Sequence, residues 1–271
     1  MRIGVVAPST RLLPETAERV RAIAAEHHPE VDIHFHPQCF LSHNHFAGED
    51  KVRAEAFVEI ANDPGYDALW FARGGYGSCR IAEAVIARLG PAARDKSYLG
   101  YSDAGFLLSG LYRAGFAGLA HGPMPQDARR PGGEAAVRRA LDWLIRRASD
   151  ALEPGLGAEP NAAFNITVLS HLLGTTLEPP LEGHVLLLED VSEHLYRTDR
   201  AMFHVAASPS VRRVAGIRLG RLSEVPENDP DFGESGEEMV RFWCERAAIP
   251  FLGQADIGHD SANRIVPYGA A

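Results

Sequence analysis

The chain is short of the residues that would mark several common functions. It has only 3 cysteines. Cys39, Cys79 and Cys244 are scattered, odd in number and without a CxxC, which excludes a zinc ribbon or a disulfide framework. Positive charge is also lacking. The 36 acidic residues against 27 basic ones give a net charge of -9, and no basic stripe is present, so a nucleic-acid partner is excluded. Arg129, Arg130, Arg138, Arg139, Arg146 and Arg147 read as solvated surface. No apolar window approaches about eighteen residues, so no membrane helix is expected. The opening MRIGVVAPST lacks the apolar core of a signal peptide, and a cytoplasmic location is expected. Gly74, Gly75 and Gly77 form neither GxGxxG nor a loop with a Walker lysine, which argues against a nucleotide cradle. His34 and His36 share one side of a strand, and His43 and His45 follow. No carboxylate or cysteine completes a metal shell around them. Neither a metal nor a cofactor is expected.

What is present is an alternation of strands and helices along 271 residues. Strands are predicted at 2–7, 31–35, 66–72, 98–101, 183–189, 214–219 and 250–257. Helices are predicted at 15–26, 49–61, 81–89, 104–112, 132–148, 166–173, 200–207 and 237–246. This order predicts an α/β protein built on parallel sheet covered on both faces. The segment 149–163, rich in Gly, Pro and Ala, reads as a linker. It divides an N-terminal, flavodoxin-like parallel-sheet lobe (1–148) from a C-terminal α/β lobe (164–271). Trp70, Trp143 and Trp243 lie in apolar patterns and are assigned to the core.

Two glycine-marked turns stand out. ARGGYGS carries Arg73 to Ser78, and LGYSDAG carries Ser102. Each follows an apolar strand and precedes a helix. In parallel α/β sheets the ligand crevice lies at such strand ends. A serine on a sharp strand-to-helix turn presents its hydroxyl as a nucleophile, and a neighbouring glycine turn can donate N–H groups to an oxyanion. A serine nucleophile needs a base and a group that orients the base. Glu189 closes the apolar run HVLLLE, and His259 follows QADIG. Strand-end acids are common and the chain has 12 histidines, so the residues alone leave the assignment open. Cys79 beside the first turn has no histidine at motif spacing and reads as a bystander thiol. His121 reads as a hydrogen-bonded structural histidine. Asp190 adjoins Glu189, but neighbours on a strand face opposite sides, so only one of them is expected at the site. Arg197 and Arg200, near Tyr196, suit a substrate carboxylate or an ion pair with Asp199 or Glu193.

Several of these segments together resemble one family. RGGYGSCR, GYSDA, HGPM (His121 to Met124), LLLEDVSEHLYRTDR (Leu186 to Arg200) and DIGHD (Asp256 to Asp260) are similar to the LD-carboxypeptidases. These are serine peptidases also called muramoyltetrapeptide carboxypeptidases. HFAGEDKVRAEAF resembles the family's FAG-D-x-x-R region, and FNITVLSHLLGT its GGNL-to-GT segment. The resemblance runs from Ala7 to His259. It implies Ser102 as nucleophile, His259 as general base and then acid, and Glu189 as the group orienting the imidazole. It implies an oxyanion hole from the backbone amides of Gly75 and Asp103, and carries Tyr76, Asn165 and Arg197 as substrate contacts. The implied reaction is hydrolysis of an LD peptide bond with release of a terminal D-amino acid, D-Ala from muramoyl tetrapeptide in wall recycling, by a homodimer without a cofactor. A family branch acts instead on microcin-type peptide–nucleotides. A non-catalytic binding protein on the same fold is the remaining alternative. Two departures stand out. AFNI replaces GGNL, so Phe164 is expected to narrow the pocket if that segment lines it. The sequence stops soon after IVPYG, where family members continue with a strand, so an exposed sheet edge or an altered dimer is expected.

Overall fold

The computed structural model describes residues 1–270. The chain runs through β1 (Arg2–Val6), α1 (Pro14–His27), β2 (Asp32–Phe35), α2 (Asp50–Asn62), β3 (Ala68–Phe71) and α3 (Ala82–Ile86). It continues with β4 (Ser97–Gly100), α4 (Gly105–Arg113), β5 (Leu119–His121) and α5 (Gly133–Arg146). A second run follows: β6 (Asn161–Asn165), α6 (Ile166–Leu172), β7 (Val185–Val191), α7 (Leu195–Ala207), β8 (Gly216–Ser223), α8 (Gly236–Ala247), β9 (Phe251–Gln254) and β10 (Val266–Pro267).

The strands form two sheets, ordered β10-β5-β4-β3-β1-β2 and β6-β7-β8-β9. All pairings are parallel except β10 on β5. This is the expected α/β class. Strand β3 (ALWF) is buried along its whole length, as befits a parallel strand covered on both faces. Helix α5 buries Ala136, Val137, Ala140, Leu141 and Leu144 on one side, the stripe that a 3.6-residue period produces. Helix α8 begins at a capping box in which Ser235 and Glu238 satisfy each other's backbone N–H groups.

Three strands escape the sequence pattern. β5 has 3 residues, β10 has 2 including a proline, and β6 begins inside the Gly/Pro-rich segment 149–163. The first two are too short for periodicity to register, the third is hidden by its Gly/Pro-rich start, and pairing with neighbouring strands holds all three. Helix α7 starts at Leu195, ahead of the expected Arg200, and α3 stops at Ile86.

One apolar cluster runs from Phe57, Phe71, Tyr98 and Leu107 beside the first sheet to Phe164, Leu188, Met202 and Ile217 beside the second. Polar ties reinforce this join. Ser109 Oγ donates to the Leu177 carbonyl at 2.7 Å, and Tyr268 OH donates to the Ala163 carbonyl at 2.8 Å. Each buried large apolar side chain contributes about 1.5–3 kcal/mol, so the continuous cluster fixes the strand ends of the two sheets relative to each other. Trp70 and Trp143 are buried, and Trp243 is half-buried against Phe203 and Phe242.

Candidate active site

Three turns meet beyond β1, β3 and β4. Ser102 leaves β4 with φ of 60°, a left-handed conformation that costs a non-glycine residue of order 1–3 kcal/mol. The surrounding turns hold it there. Asp103 is buried. Its carboxylate accepts from Ser9 Oγ and from the Ser78 N–H at 2.8 Å, while its carbonyl accepts from Ser78 Oγ. Burial pushes the Asp103 carboxyl upward, and these hydrogen bonds work against the rise. Fully buried Arg53, in the FAG-D-x-x-R segment, donates to the carbonyls of Pro8 and Gly77 and pairs with Asp50. A Cβ on Gly74 would sit 2.8 Å from Ser102 Oγ, so glycine here is a requirement of close approach.

The base side comes from the second sheet. His259 donates from Nδ1 to Glu189 Oε2 at 2.6 Å, and both groups are buried. Burial works against the His259 imidazolium. The charge and hydrogen bond of Glu189 outweigh it, so the imidazole stands above its ordinary value of 6.5. The β7–β8 register shifts between Leu188 and Asp190, and such irregularities re-aim side chains near sites. The Tyr101 ring packs on the His259 ring with centroids 4.8 Å apart. Tyr101 OH donates to Asp127 Oδ1 at 2.8 Å, and Arg130 donates to the same oxygen at 2.9 Å. The loop bearing His259 is clamped from three sides. Arg221 pairs with Asp256 and Asp260. Arg139 donates to the carbonyls of Ser261 and Asn263 at 3.0 and 2.9 Å. Asn263 Oδ1 accepts from the Gly258 N–H at 3.1 Å and from His121 Nε2 at 3.3 Å. Burial pushes His121 down to about 4, so it stays neutral and serves as the expected structural histidine.

A cleft of about 690 Å³ contains Gly75, Tyr76, Ser102, Asp103 and Asn165 among its walls. Tyr76 is half exposed and packs on Phe46 and His45. Asn165 caps α6 by accepting from the Val168 N–H at 3.1 Å, and its Nδ2 donates to Asp190 Oδ1 at 2.7 Å. Asp190 therefore also belongs to the site. Strand alternation turns Glu189 toward His259 and Asp190 toward this cleft, so the expectation that only one of them takes part is corrected. Burial first, and the charge of Glu189 second, push Asp190 up to about 6. Arg197 is outside this cleft. It pairs with Glu193 at 3.6 Å and borders an adjoining groove. Phe164 does not narrow the cleft. It is 1% exposed and packs edge-on against Tyr268 in the core. Cys79 borders the cleft with its thiol pushed upward by burial, which disfavours a thiolate. His259 makes its side-chain hydrogen bond through Nδ1 alone among the described residues, leaving Nε2 free, and Ser102 immediately follows the tyrosine packed on its ring. The sequence reading missed Ser9, Tyr101, Asp127, Arg221 and Asn263. Tyr101 alone carried a signal, its place beside Ser102.

The LD-carboxypeptidase N-terminal domain model matches residues 3–122, and the C-terminal domain model matches residues 163–271. The chain belongs to the LD-carboxypeptidase family. Membership makes it a serine-type carboxypeptidase. A Synechocystis protein carrying a carboxypeptidase name is 30% identical over 84% of this chain and 77% of its own length. The murein tetrapeptide carboxypeptidase of Pseudomonas aeruginosa is 27% identical over 99% of this chain and 91% of its own. Among solved structures, the muramoyltetrapeptide carboxypeptidase from Oxalobacter formigenes superposes with a TM-score of 0.82 at 24% identity, covering 98% and 93% of the two chains. The microcin C7 self immunity protein MccF superposes at 0.78 with 18% identity, covering 99% and 91%. At these identities the two superpositions establish the shared fold. Among the described residues, no helix is long and apolar enough to cross a membrane.

Proposed function

We propose that this LD-carboxypeptidase releases D-alanine from a muramoyl tetrapeptide through a Ser102–His259–Glu189 triad. Ser102 Oγ attacks the carbonyl of the LD bond while His259 Nε2 takes its proton. Glu189 accepts the Nδ1–H, holds the tautomer and stabilises the imidazolium that forms. The N–H groups of Gly75 and Asp103 receive the oxyanion. His259 then protonates the leaving amine, and the D-amino acid departs. Water, deprotonated by His259, hydrolyses the acyl-enzyme and restores Ser102.

The observation that carries this reading is the buried 2.6 Å Glu189–His259 hydrogen bond. It leaves Nε2 without a side-chain hydrogen bond among the described residues, and the tyrosine packed against the imidazole directly precedes Ser102 in the chain. The murein peptide names of the relatives support the substrate. The peptide–nucleotide alternative drew on a pocket narrowed by Phe164, and the core position of that ring removes the argument. A binder without turnover would have no use for a buried carboxylate–imidazole pair. The test is mass spectrometry of a muramoyl tetrapeptide after incubation with wild type and with Ser102→Ala. Loss of one D-alanine with wild type alone is the expected outcome. An intact tetrapeptide with folded wild type sinks the substrate assignment, and cleavage by Ser102→Ala sinks the nucleophile.

A further inference from the structure

A second groove of about 830 Å³ adjoins the Ser102 cleft, and Thr167, His171 and Glu193 border both. The two spaces differ in charge. The cleft walls include Glu83, Asp103, Asp190 and Glu193 but no arginine or lysine. The groove walls include Arg197 and Arg200 against one acid, Glu193. That acid is already paired with Arg197 at 3.6 Å. Arg200 is left without a counter-charge. It makes no ion pair or hydrogen bond among the described residues. Its guanidinium lies 5.6 Å from the centroid of the exposed Tyr196 ring. A guanidinium seated on a ring face keeps its donors available for a carboxylate fork.

We propose that this groove is a subsite for a carboxylate carried on the acyl portion of the substrate, with Arg200 as its principal contact. The inference rests on the carboxypeptidase reading above. When the departing group is a single terminal residue, nothing extends past it, so whatever reaches the groove lies upstream of the scissile bond. Each residue advances the chain by about 3.3–3.6 Å. An anion beyond the shared wall of Thr167 and His171 therefore belongs to a residue upstream of the one that acylates Ser102. The substrate class is a peptide of several residues, acidic upstream and ending in a D-amino acid.

The test uses two synthetic peptides of equal length, each ending in an L-residue followed by D-alanine. One has a free carboxylate on an upstream residue, and the other a carboxamide there. Wild type is expected to prefer the free acid roughly three- to tenfold in kcat/KM, through KM, as a partly exposed charge contact allows. Raising the salt shrinks that preference. Arg200→Ala treats the two peptides alike, and Arg200→Lys keeps part of the preference because charge survives without the planar fork. Equal cleavage of both peptides by wild type, or a preference that persists in Arg200→Ala, overturns the subsite alone. Cleavage of neither peptide by folded wild type overturns the function reading and the subsite together.

Discussion

The nucleophile side and the base side of this site are built from different materials. Around Ser102 the work is done by backbone: a left-handed residue, a glycine with no room for a Cβ, and turns stitched by Ser9, Ser78, Asp103 and Arg53. Around His259 it is done by side chains and charge: Glu189 behind the ring, Tyr101 on its face, and Arg221, Arg139 and Asn263 on its loop. A nucleophile set by backbone shape tolerates few substitutions because any shift of the turn moves its hydroxyl. A side-chain-built site can be retuned, and its failures register in pH profiles as well as rates.

The largest loss is expected at the nucleophile. Ser102→Ala is expected to lower kcat by roughly five to six orders of magnitude, as loss of a nucleophile does, with little change in Tm. Residual activity near wild type would remove Ser102 from the mechanism.

Glu189→Gln follows, with a loss of roughly four orders in kcat, the scale seen when such an orienting acid is neutralised. It also carries a pH signature. His259 must be neutral to act as base, so kcat/KM falls as pH drops through its pKa, which Glu189 holds above 6.5. Without that charge, burial is the largest remaining influence and disfavours the imidazolium. The acid limb is expected to move to lower pH in Glu189→Gln. A limb that stays in place would mean that another group controls it.

Gly74→Ala tests the backbone side directly. Its Cβ would stand 2.8 Å from Ser102 Oγ, so the nucleophile must shift. A misplacement of about 1 Å costs about 10²-fold in kcat, and a loss of up to that size is expected, with KM much less affected. Unchanged kcat would show that the turn has slack.

Tyr101→Phe is the mildest change. It keeps the ring on His259 but removes the hydroxyl from Asp127, whose Oδ1 still accepts from Arg130. A loss of about 1–2 kcal/mol in stability by denaturant unfolding is expected, with less than a tenfold fall in kcat. A larger kinetic than structural effect would make the Asp127 anchor part of the positioning of the base.

Much of the architecture is legible in the sequence because it is local. The apolar runs that become β1, β3 and β7 announce themselves, as do the turns at Gly74, Gly75 and Ser102. β5 and β10 do not, because 3 and 2 residues carry too little pattern, and β6 does not, because it starts within the Gly/Pro-rich segment 149–163. Alternation correctly separated Glu189 from Asp190. It did not show that both faces of β7 would be used, since that depends on Asn165 one strand away. The pocket role imagined for Phe164 failed for a related reason. Whether a strand residue faces core or cleft depends on what packs over it, and here that is Tyr268, 104 positions later.

By itself, then, the sequence determined the alternation of strands and helices, the strained serine turn with its glycine neighbour, and the strand-end acid and histidine that the family motifs mark. These follow from backbone sterics and short-range periodicity, which act within a few residues. Long-range packing brings Glu189 within 2.6 Å of His259 across 70 positions, sets the Tyr101 ring against the imidazole, and leaves Arg200 without a partner among the described residues beside an acidic cleft. Burial and charge compensation are properties of the assembled interior, where groups distant in the chain share one low-dielectric space and one set of hydrogen-bond partners.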